Sequence, residues 1–488
     1  MKKIFTLLFV ATALLAGAKT YTLSELATLV PVNEDGSGVA VTAENTYVVN
    51  LPTSLPEGVS GIGYDDDNIV LSKKYFTING DLVIGEGETL LFAGVTEMEV
   101  NGNLTITGAT VGAAEGSEGT AKGFRMYTEG ASATITGSTF NYVGINYGNG
   151  TEEGCLTATD CVFNDHNSKS GNAVINFTSL SKGNLVENCE FNNPTLSCVA
   201  SGANVPCGIT IKGNAINKPN TSARLYPGIN MSATGPYDIV IDGNQIHGPA
   251  ATTRSGGIAL ACLLGNPPTG TLYVTNNFVE NCSYGITLTG PGNVRMIGNT
   301  VLNNSYISDP DLGGSGLNIT CNSADVVAKA YMQGNHIEGN AWGITLIGNV
   351  EINAGYITNE AKDVEYNPGE NVFINNGNYK YANGFDPEGE FQRWDLYNNS
   401  STTVYAQNNY WYIAKDSTPR VTVYDKEDDA SKGEVIYTPW AGTTHTAISG
   451  INVDGNNGNS QRYNIMGQPV GSDYRGIVIE NGKKLIVR

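Results

Sequence analysis

The sequence predicts an all-β solenoid of stacked coils, with a short helical cap in front and a small β-domain behind. Three observations predict it. Of 488 residues, 60 are Gly and only 15% are charged. Ala, Leu, Glu and Lys nowhere form a long amphipathic run, so short strands and tight turns are favoured over helices. Second, one unit recurs: an apolar residue, two spacers, a pivot, a spacer and another apolar residue. It reads Val274-Thr-Asn-Asn277-Phe-Val279, then Met296-Ile-Gly-Asn299-Thr-Val301. Its pivots fall at Ala109, Ser138, Cys161, Cys189, Asn214, Asn244, Asn277, Asn299 and Asn335, 22 to 36 residues apart. Third, a Gly-apolar-x-apolar ladder keeps the same period: Gly144 to Tyr147, Val174 to Phe177, Gly228 to Met231, Gly257 to Leu260, Gly285 to Leu288, Gly316 to Ile319 and Gly343 to Leu346. A coil of this length cannot bury its apolar face alone, whereas stacked coils align Ile, Val and Phe into continuous internal rows. A pivot Asn can take the left-handed conformation of a turn and hydrogen-bond its copies above and below.

Residues 1–18 read as an export signal: Met1-Lys2-Lys3, an apolar stretch from Ile4, and the small-x-small pattern Ala16-Gly17-Ala18. Cleavage is expected after Ala18. No other stretch is long and apolar enough for a membrane-spanning helix. The formal charge of -20 becomes -22 without Lys2 and Lys3, which disfavours nucleic acid and anionic lipid as partners. Residues 19–74 form the N-terminal cap and lead-in. Thr22-x-x-Glu25 is a capping box ahead of Leu23, Leu26 and Leu29, with Pro31 as the stop, and a loop-rich stretch follows. Such a helix can cover the open end of stacked strands. Asp65-Asp66-Asp67 reads as a solvated turn, because three adjacent carboxylates lack the spaced ligands of a Ca²⁺ site. From Tyr75 to Phe92 the pattern is strand, Gly turn, strand, Gly turn, strand.

Ile78-Asn-Gly-Asp-Leu82 and Val100-Asn-Gly-Asn-Leu-Thr-Ile-Thr-Gly108 look like first coils of the right-handed parallel β-helix superfamily. Asn408-Asn-Tyr-Trp411, Val421-Thr-Val-Tyr-Asp425 and Gly433 to Trp440 look like its last coil. Residues 75–440 thus resemble the fold of pectate lyases and many exported bacterial proteins, a resemblance that implies architecture and says little of activity. Residues 441–459 read as a linker and 460–488 as a small β-domain. Its Asn-x-x-Gly-Gln-x-Val from Asn464 to Val470, Gly476-Ile-x-Ile479 and Gly482-Lys-Lys-x-x-Val487 resemble the C-terminal sorting domain of type IX secretion substrates, with Val478 where an aromatic residue is more usual. That resemblance implies a type IX-like export machinery as partner, and secretion or display at the outer surface of a Gram-negative bacterium.

Candidate chemistry is sparse. Eight Cys in an exported chain permit disulfides. Cys161 and Cys189 are both pivots, however, and Cys262 and Cys321 share one slot two coils apart, so Cys behaves as a small row-filling residue with a free thiol. No Cys/His spacing suggests a metal site, and the four His are scattered. On the second ladder the outward residues are Asn146, Asn176, Asn230, Ala259, Thr287, Asn318 and Thr345, a face suited to sugar hydroxyls or to plain polar stacking. On the first ladder the outward Glu187, Lys212, Asp242 and Thr275 lie in consecutive coils. The two acids stand at a spacing suited to an inverting hydrolase, but Lys212 between them should pair with both. In the loops, His247, Arg254, Asp309 and Asp311 are candidate catalytic residues if adjacent loops cluster, and Arg224 and Arg295 are further candidates. The catalytic signatures of polygalacturonases and of pectate lyases are absent.

The expected function is therefore a non-catalytic surface scaffold or adhesin that binds a glycan or another surface and needs no cofactor. The alternative is a polysaccharide lyase or glycoside hydrolase working in a groove along one sheet, with Ca²⁺ or a cation beside the uronate carboxylate if it is a lyase. An enzyme should gather two acids, or an acid and a base, within about 10 Å.

Overall fold

The computed structural model describes residues 19–442 except 168–172, 203–205, 221–225, 250–254, 264–266, 307–312, 359, 362, 382–383 and 387. It also describes residues 462–464, 469–471, 476–480 and 483–487. The export signal at 1–18 and the linker from 443 to 459 lie outside the described residues.

The chain is a right-handed parallel β-helix. Three long sheets run its length, of 14, 14 and 15 strands. Each coil gives one strand to each sheet. The three strands foreseen between Tyr75 and Phe92 are Tyr75–Ile78, Asp81–Ile84 and Thr89–Phe92, which belong to the third, first and second sheets respectively. One coil later, Glu97–Val100, Leu104–Thr107 and Thr110–Ala113 pair with them in parallel. The last strands are Tyr410–Trp411, Val423–Tyr424 and Val435–Ile436, which are the segments that resembled a final coil.

The helix Leu23–Leu29 carries its capping box: the Thr22 main-chain N–H donates to Glu25 Oε2 at 2.9 Å, and the Thr22 hydroxyl accepts from the Glu25 N–H. Leu23 and Leu26 are fully buried against the open end of the core. The lead-in, expected to be loop-rich, instead holds strands Gly38–Ala43, Thr46–Asn50, Ile62–Tyr64 and Ile69–Leu71, which start the second and third sheets. They are antiparallel hairpins, so the usual coil period does not reach them. Asp65, Asp66 and Asp67 all have positive φ. Asp65 closes this turn onto Lys19 Nζ at 2.7 Å and accepts from the Tyr21 hydroxyl.

Inside, like residues stack. Phe140, Phe163 and Phe191 stand 4.9 Å apart ring to ring, each pair contributing ~0.5–1.5 kcal/mol beyond burial. The pivots are fully buried at the corner between the first and second sheets. The left-handed residue proves to be the one before each pivot: Gly108, Gly137, Asp160, Asn188, Gly213, Gly243, Asn276, Gly298, Gly334, Glu370 and Asn408. The residue there, Gly, Asn or Asp in all but Glu370, turns the chain, which frees the pivot amide to stack. Nδ2 of Asn214, Asn244, Asn277, Asn299, Asn335 and Asn371 each donates to Oδ1 of the next pivot at 2.8–3.0 Å, ending on Asn409. A second amide ladder, unforeseen, runs five residues after the pivots through Cys282, Asn304, Asn340 and Asn376 to the buried Asp395.

All eight Cys are free thiols, seven of them buried. Residues 462–464, 469–470, 476–480 and 483–487 form a separate four-stranded antiparallel sheet. Among the described residues no helix is long and apolar enough to cross a membrane.

Candidate functional site

The outer face of the third sheet holds a continuous row of mostly polar residues. Register joins Thr77, Glu99, Arg125, Asn146, Asn176, Ala200, Asn230, Ala259, Thr287, Asn318, Thr345, Tyr397 and Tyr424 without a gap. Thirteen positions at ~4.8 Å per coil span roughly 58 Å. The middle of this row is the Asn/Thr face read from the second ladder. Parallel pairing with even register is what lines these residues up, because the inward Ile, Leu and Phe on either side of each one are pinned in the core.

Neighbours along the row bond one another. Asn176 Nδ2 donates to Asn146 Oδ1 at 3.2 Å, and Asn146 Nδ2 to Glu97 Oε1 at 3.4 Å. Asn318 Nδ2 donates to Thr287 at 2.7 Å, and Ser315 and Thr345 share a bond of 2.9 Å.

At the N-terminal end a charged cluster continues the row. Arg125 Nε lies 3.2 Å from Glu99 Oε1, and Nη1 donates to the Tyr75 hydroxyl at 3.1 Å. The guanidinium sits 5.1 Å from the Tyr75 ring centre and 4.5 Å from that of Tyr127, a cation held between two aromatic faces. Glu97, on the same side of its strand as Glu99, is almost buried. Tyr127 lies over Gly148, where a Cβ would meet its ring at 2.5 Å, and burial raises its pKa above the usual phenol value. Glu99 and Arg125 thus stand within the ~10 Å expected for an acid and a basic residue, as an ion pair.

At the C-terminal end the row becomes aromatic. Tyr397 and Tyr424 stack at 4.3 Å and 13°. Trp342 and Trp394 pack beside them at 4.6 and 5.5 Å from Tyr397, in a cluster separate from the main core.

The sequence missed both ends. Gly123-Phe-Arg-Met126 fits the Gly-apolar-x-apolar ladder one coil before Gly144, and following it back would have found Arg125. Glu97-Met-Glu-Val100 lacks the Gly, and Leu396-Tyr-Asn-Asn399 follows the long excursion that ends at Trp394, so neither announces itself.

The other candidates are dispersed. His247 faces outward from the second sheet, where Nδ1 meets Glu280 Oε1 at 2.8 Å. Arg254, Asp309, Asp311 and Arg224 lie outside the described residues. Arg295 faces outward from the first sheet, stacked on Tyr331 at 4.0 Å and paired with Glu365. Glu187, Lys212, Asp242 and Thr275 are in register as expected. Lys212 pairs with Glu187 at 3.8 Å. Asp242, expected to pair with Lys212 as well, instead accepts from Thr275 Oγ1 at 2.6 Å and Asn276 Nδ2 at 2.9 Å. Two neutral donors in the next coil satisfy it better than a long, exposed lysine. Among the described residues no three His, Cys, Asp or Glu side chains converge as a metal site.

No family model matches the chain, and no curated protein does. Among solved structures it is similar to the crystal structure of the periplasmic alginate epimerase AlgG, at 11% identity and a TM-score of 0.41, over 87% of this chain and 84% of that one. A point mutant of the same enzyme gives 10% identity and a TM-score of 0.39, over 87% and 81%.

Proposed function

We propose that the protein is an exported β-helix that holds an extended glycan along the outer face of its third sheet. The single observation that carries this is the unbroken outward row from Thr77 to Tyr424, with amides and hydroxyls along its middle and aromatic rings at one end. Amides and hydroxyls donate to and accept from sugar oxygens, and Tyr and Trp offer rigid apolar surface with a polar edge. The test is calorimetric titration with a panel of soluble polysaccharides. The triple variant Asn146→Ala, Asn176→Ala, Asn318→Ala should lose most of the affinity shown by the parent chain. A parent chain that binds no glycan, or a variant that binds as the parent does, refutes the reading.

A second reading, cleavage of the bound glycan, is favoured by one observation: Glu97, Glu99, Arg125 and Tyr127 meet on this same face. Two carboxylates two residues apart on one strand edge stand ~6.7 Å apart at the main chain, within reach of the separation used in inverting hydrolysis. The Tyr127 hydroxyl, kept protonated by burial, adds a hydrogen-bond donor beside the two carboxylates. Release of reducing ends or unsaturated products that Glu99→Gln abolishes would establish this reading; a glycan bound and left intact would end it. Export itself rests on residues 1–18 and 460–488. Deleting 460–488 should leave the protein in the periplasm, and unaltered delivery to the surface or medium would rule out a sorting role.

A further inference from the structure

Across all fifteen strands of the third sheet, the only charged side chains are Glu97, Glu99 and Arg125. They sum to one negative charge, while a further eleven positions of the outward row are neutral or aromatic. Arg125 offers no open cation. Glu99 stands at 3.2 Å from its Nε, Tyr75 takes Nη1, and two tyrosine rings cover the guanidinium faces. Acids also outnumber bases in the turns leaving the next three coils, with Glu129, Glu152 and Glu153 against Lys182. The whole chain carries -20.

We propose that the glycan held on this face is uncharged. This rests on reading the third sheet as a glycan-binding face. A polyuronate brings one carboxylate per sugar. Along this row its carboxylates would meet Asn, Thr and Ala, with the one guanidinium already neutralised, and would be repelled by the surrounding field. An uncharged sugar has no such cost. Its hydroxyls match the amides and Thr hydroxyls, and its apolar ring faces match the Tyr397–Tyr424 stack.

The test titrates the full mature chain with a soluble uncharged β-linked glucan and mannan, and with polygalacturonate, at low and high salt. Uncharged glycans should bind at least about tenfold more tightly than polygalacturonate, with an affinity that salt leaves unchanged. Polygalacturonate binding as tightly or more tightly would overturn the inference and leave the glycan-binding face intact. Binding of neither class would overturn both. Two isosteric variants, Glu99→Gln and Glu97→Gln, provide a second test. Each shifts the face by one positive charge, and Glu99→Gln also uncovers Arg125. The ratio of polygalacturonate to uncharged-glycan affinity should rise about fivefold in Glu99→Gln, the value of one exposed ion pair. An unchanged ratio in both variants would refute the charge argument.

Discussion

Asn299→Ala should open the middle of the solenoid. Asn299 is fully buried. Its Oδ1 accepts both the main-chain N–H and the side-chain Nδ2 of Asn277, each at 3.0 Å. Its Nδ2 donates to Val274 O at 2.8 Å and to Asn335 Oδ1 at 3.0 Å. Truncation strands the Asn277 main-chain N–H, and it removes one of two acceptors from Asn277 Nδ2, which keeps Ile241 O at 2.8 Å, and one donor from the Val274 carbonyl, which sits in a paired strand. Asn335 Oδ1 keeps the Asn299 main-chain N–H at 3.0 Å. One stranded N–H at ~1–3 kcal/mol and two lost amide bonds at ~0.5–1.5 kcal/mol each put the cost at about 3 kcal/mol. Because each coil rests only on its neighbours, the loss concentrates in the flanking coils. Hydrogen exchange read by mass spectrometry should therefore show the amides from Val274 to Val301 opening about a hundredfold more often, with the N-terminal coils unaffected. Asn277→Ala with Asn299→Ala should cost less than the sum of the two singles, since both singles count the shared bonds. Additive losses, or exchange unchanged around Asn277, would refute the claim that the ladder carries this energy.

Three further outcomes follow from the interior. Burial pushes His166 down to about 4, and among the described residues neither ring nitrogen has a partner. With the folded pKa below the unfolded value of about 6.5, the unfolded chain takes the proton first, so stability is full above pH ~6.5. It falls by ~3 kcal/mol as the pH drops toward 4. Melting temperatures across that window should slope less for His166→Phe than for the parent, and equal slopes would reject the assignment. Phe163→Ala, which removes the centre of the ring stack, should cost ~3–5 kcal/mol in urea unfolding followed by circular dichroism; a loss under ~1 kcal/mol would mean that the stack relaxes to fill the gap. Burial pushes the thiols of Cys198, Cys207 and Cys282 up to about 12. An alkylating reagent should therefore label the half-buried Cys155 first and these three only after unfolding, which peptide mapping would show; early labelling of Cys198 would contradict their burial.

The period made the fold legible because stacking repeats whatever faces inward. Val274, Met296 and Met332 sit opposite one another in the first sheet, where spacing alone had aligned them. The same signal misplaced the turn. Spacing shows that a Gly-Asn or Asn-Asn doublet recurs but cannot say which member has positive φ, and it is the first. The second ladder was equally visible as the doublets Asn303-Asn304, Gly339-Asn340 and Asn375-Asn376, each five residues beyond a pivot doublet. The site was legible only where its residues repeat. Arg125 and Glu99 are each unlike their neighbours in the row, and the Tyr397–Tyr424 pair sits on strands without the leading Gly, so periodicity discards them. Loop clustering was a weaker guide: His247, expected in a loop, ends the strand Gln245–His247 and faces outward from the second sheet rather than the third.

Asparagine repeats in this chain both inside and outside, and hydrogen-bond supply separates the two roles. An amide offers two donor hydrogens and two acceptor lone pairs. Inside, Asn244 uses all four: its Oδ1 accepts from Asn214 N and Nδ2, and its Nδ2 donates to Ile211 O and Asn277 Oδ1. Outside, Asn146 spends one donor on Glu97 and one lone pair on Asn176, which leaves one donor hydrogen and one lone pair. A glycan can take those two positions without breaking a bond between coils. Binding and stability should therefore come apart by location. Asn176→Ala should weaken glycan binding severalfold while shifting unfolding by less than ~1 kcal/mol. Asn299→Ala should cost stability and leave the affinity of the intact face alone. If Asn176→Ala instead unfolds the chain as Asn299→Ala does, the outer row is structural, and the glycan-binding face would have to lie elsewhere on the helix.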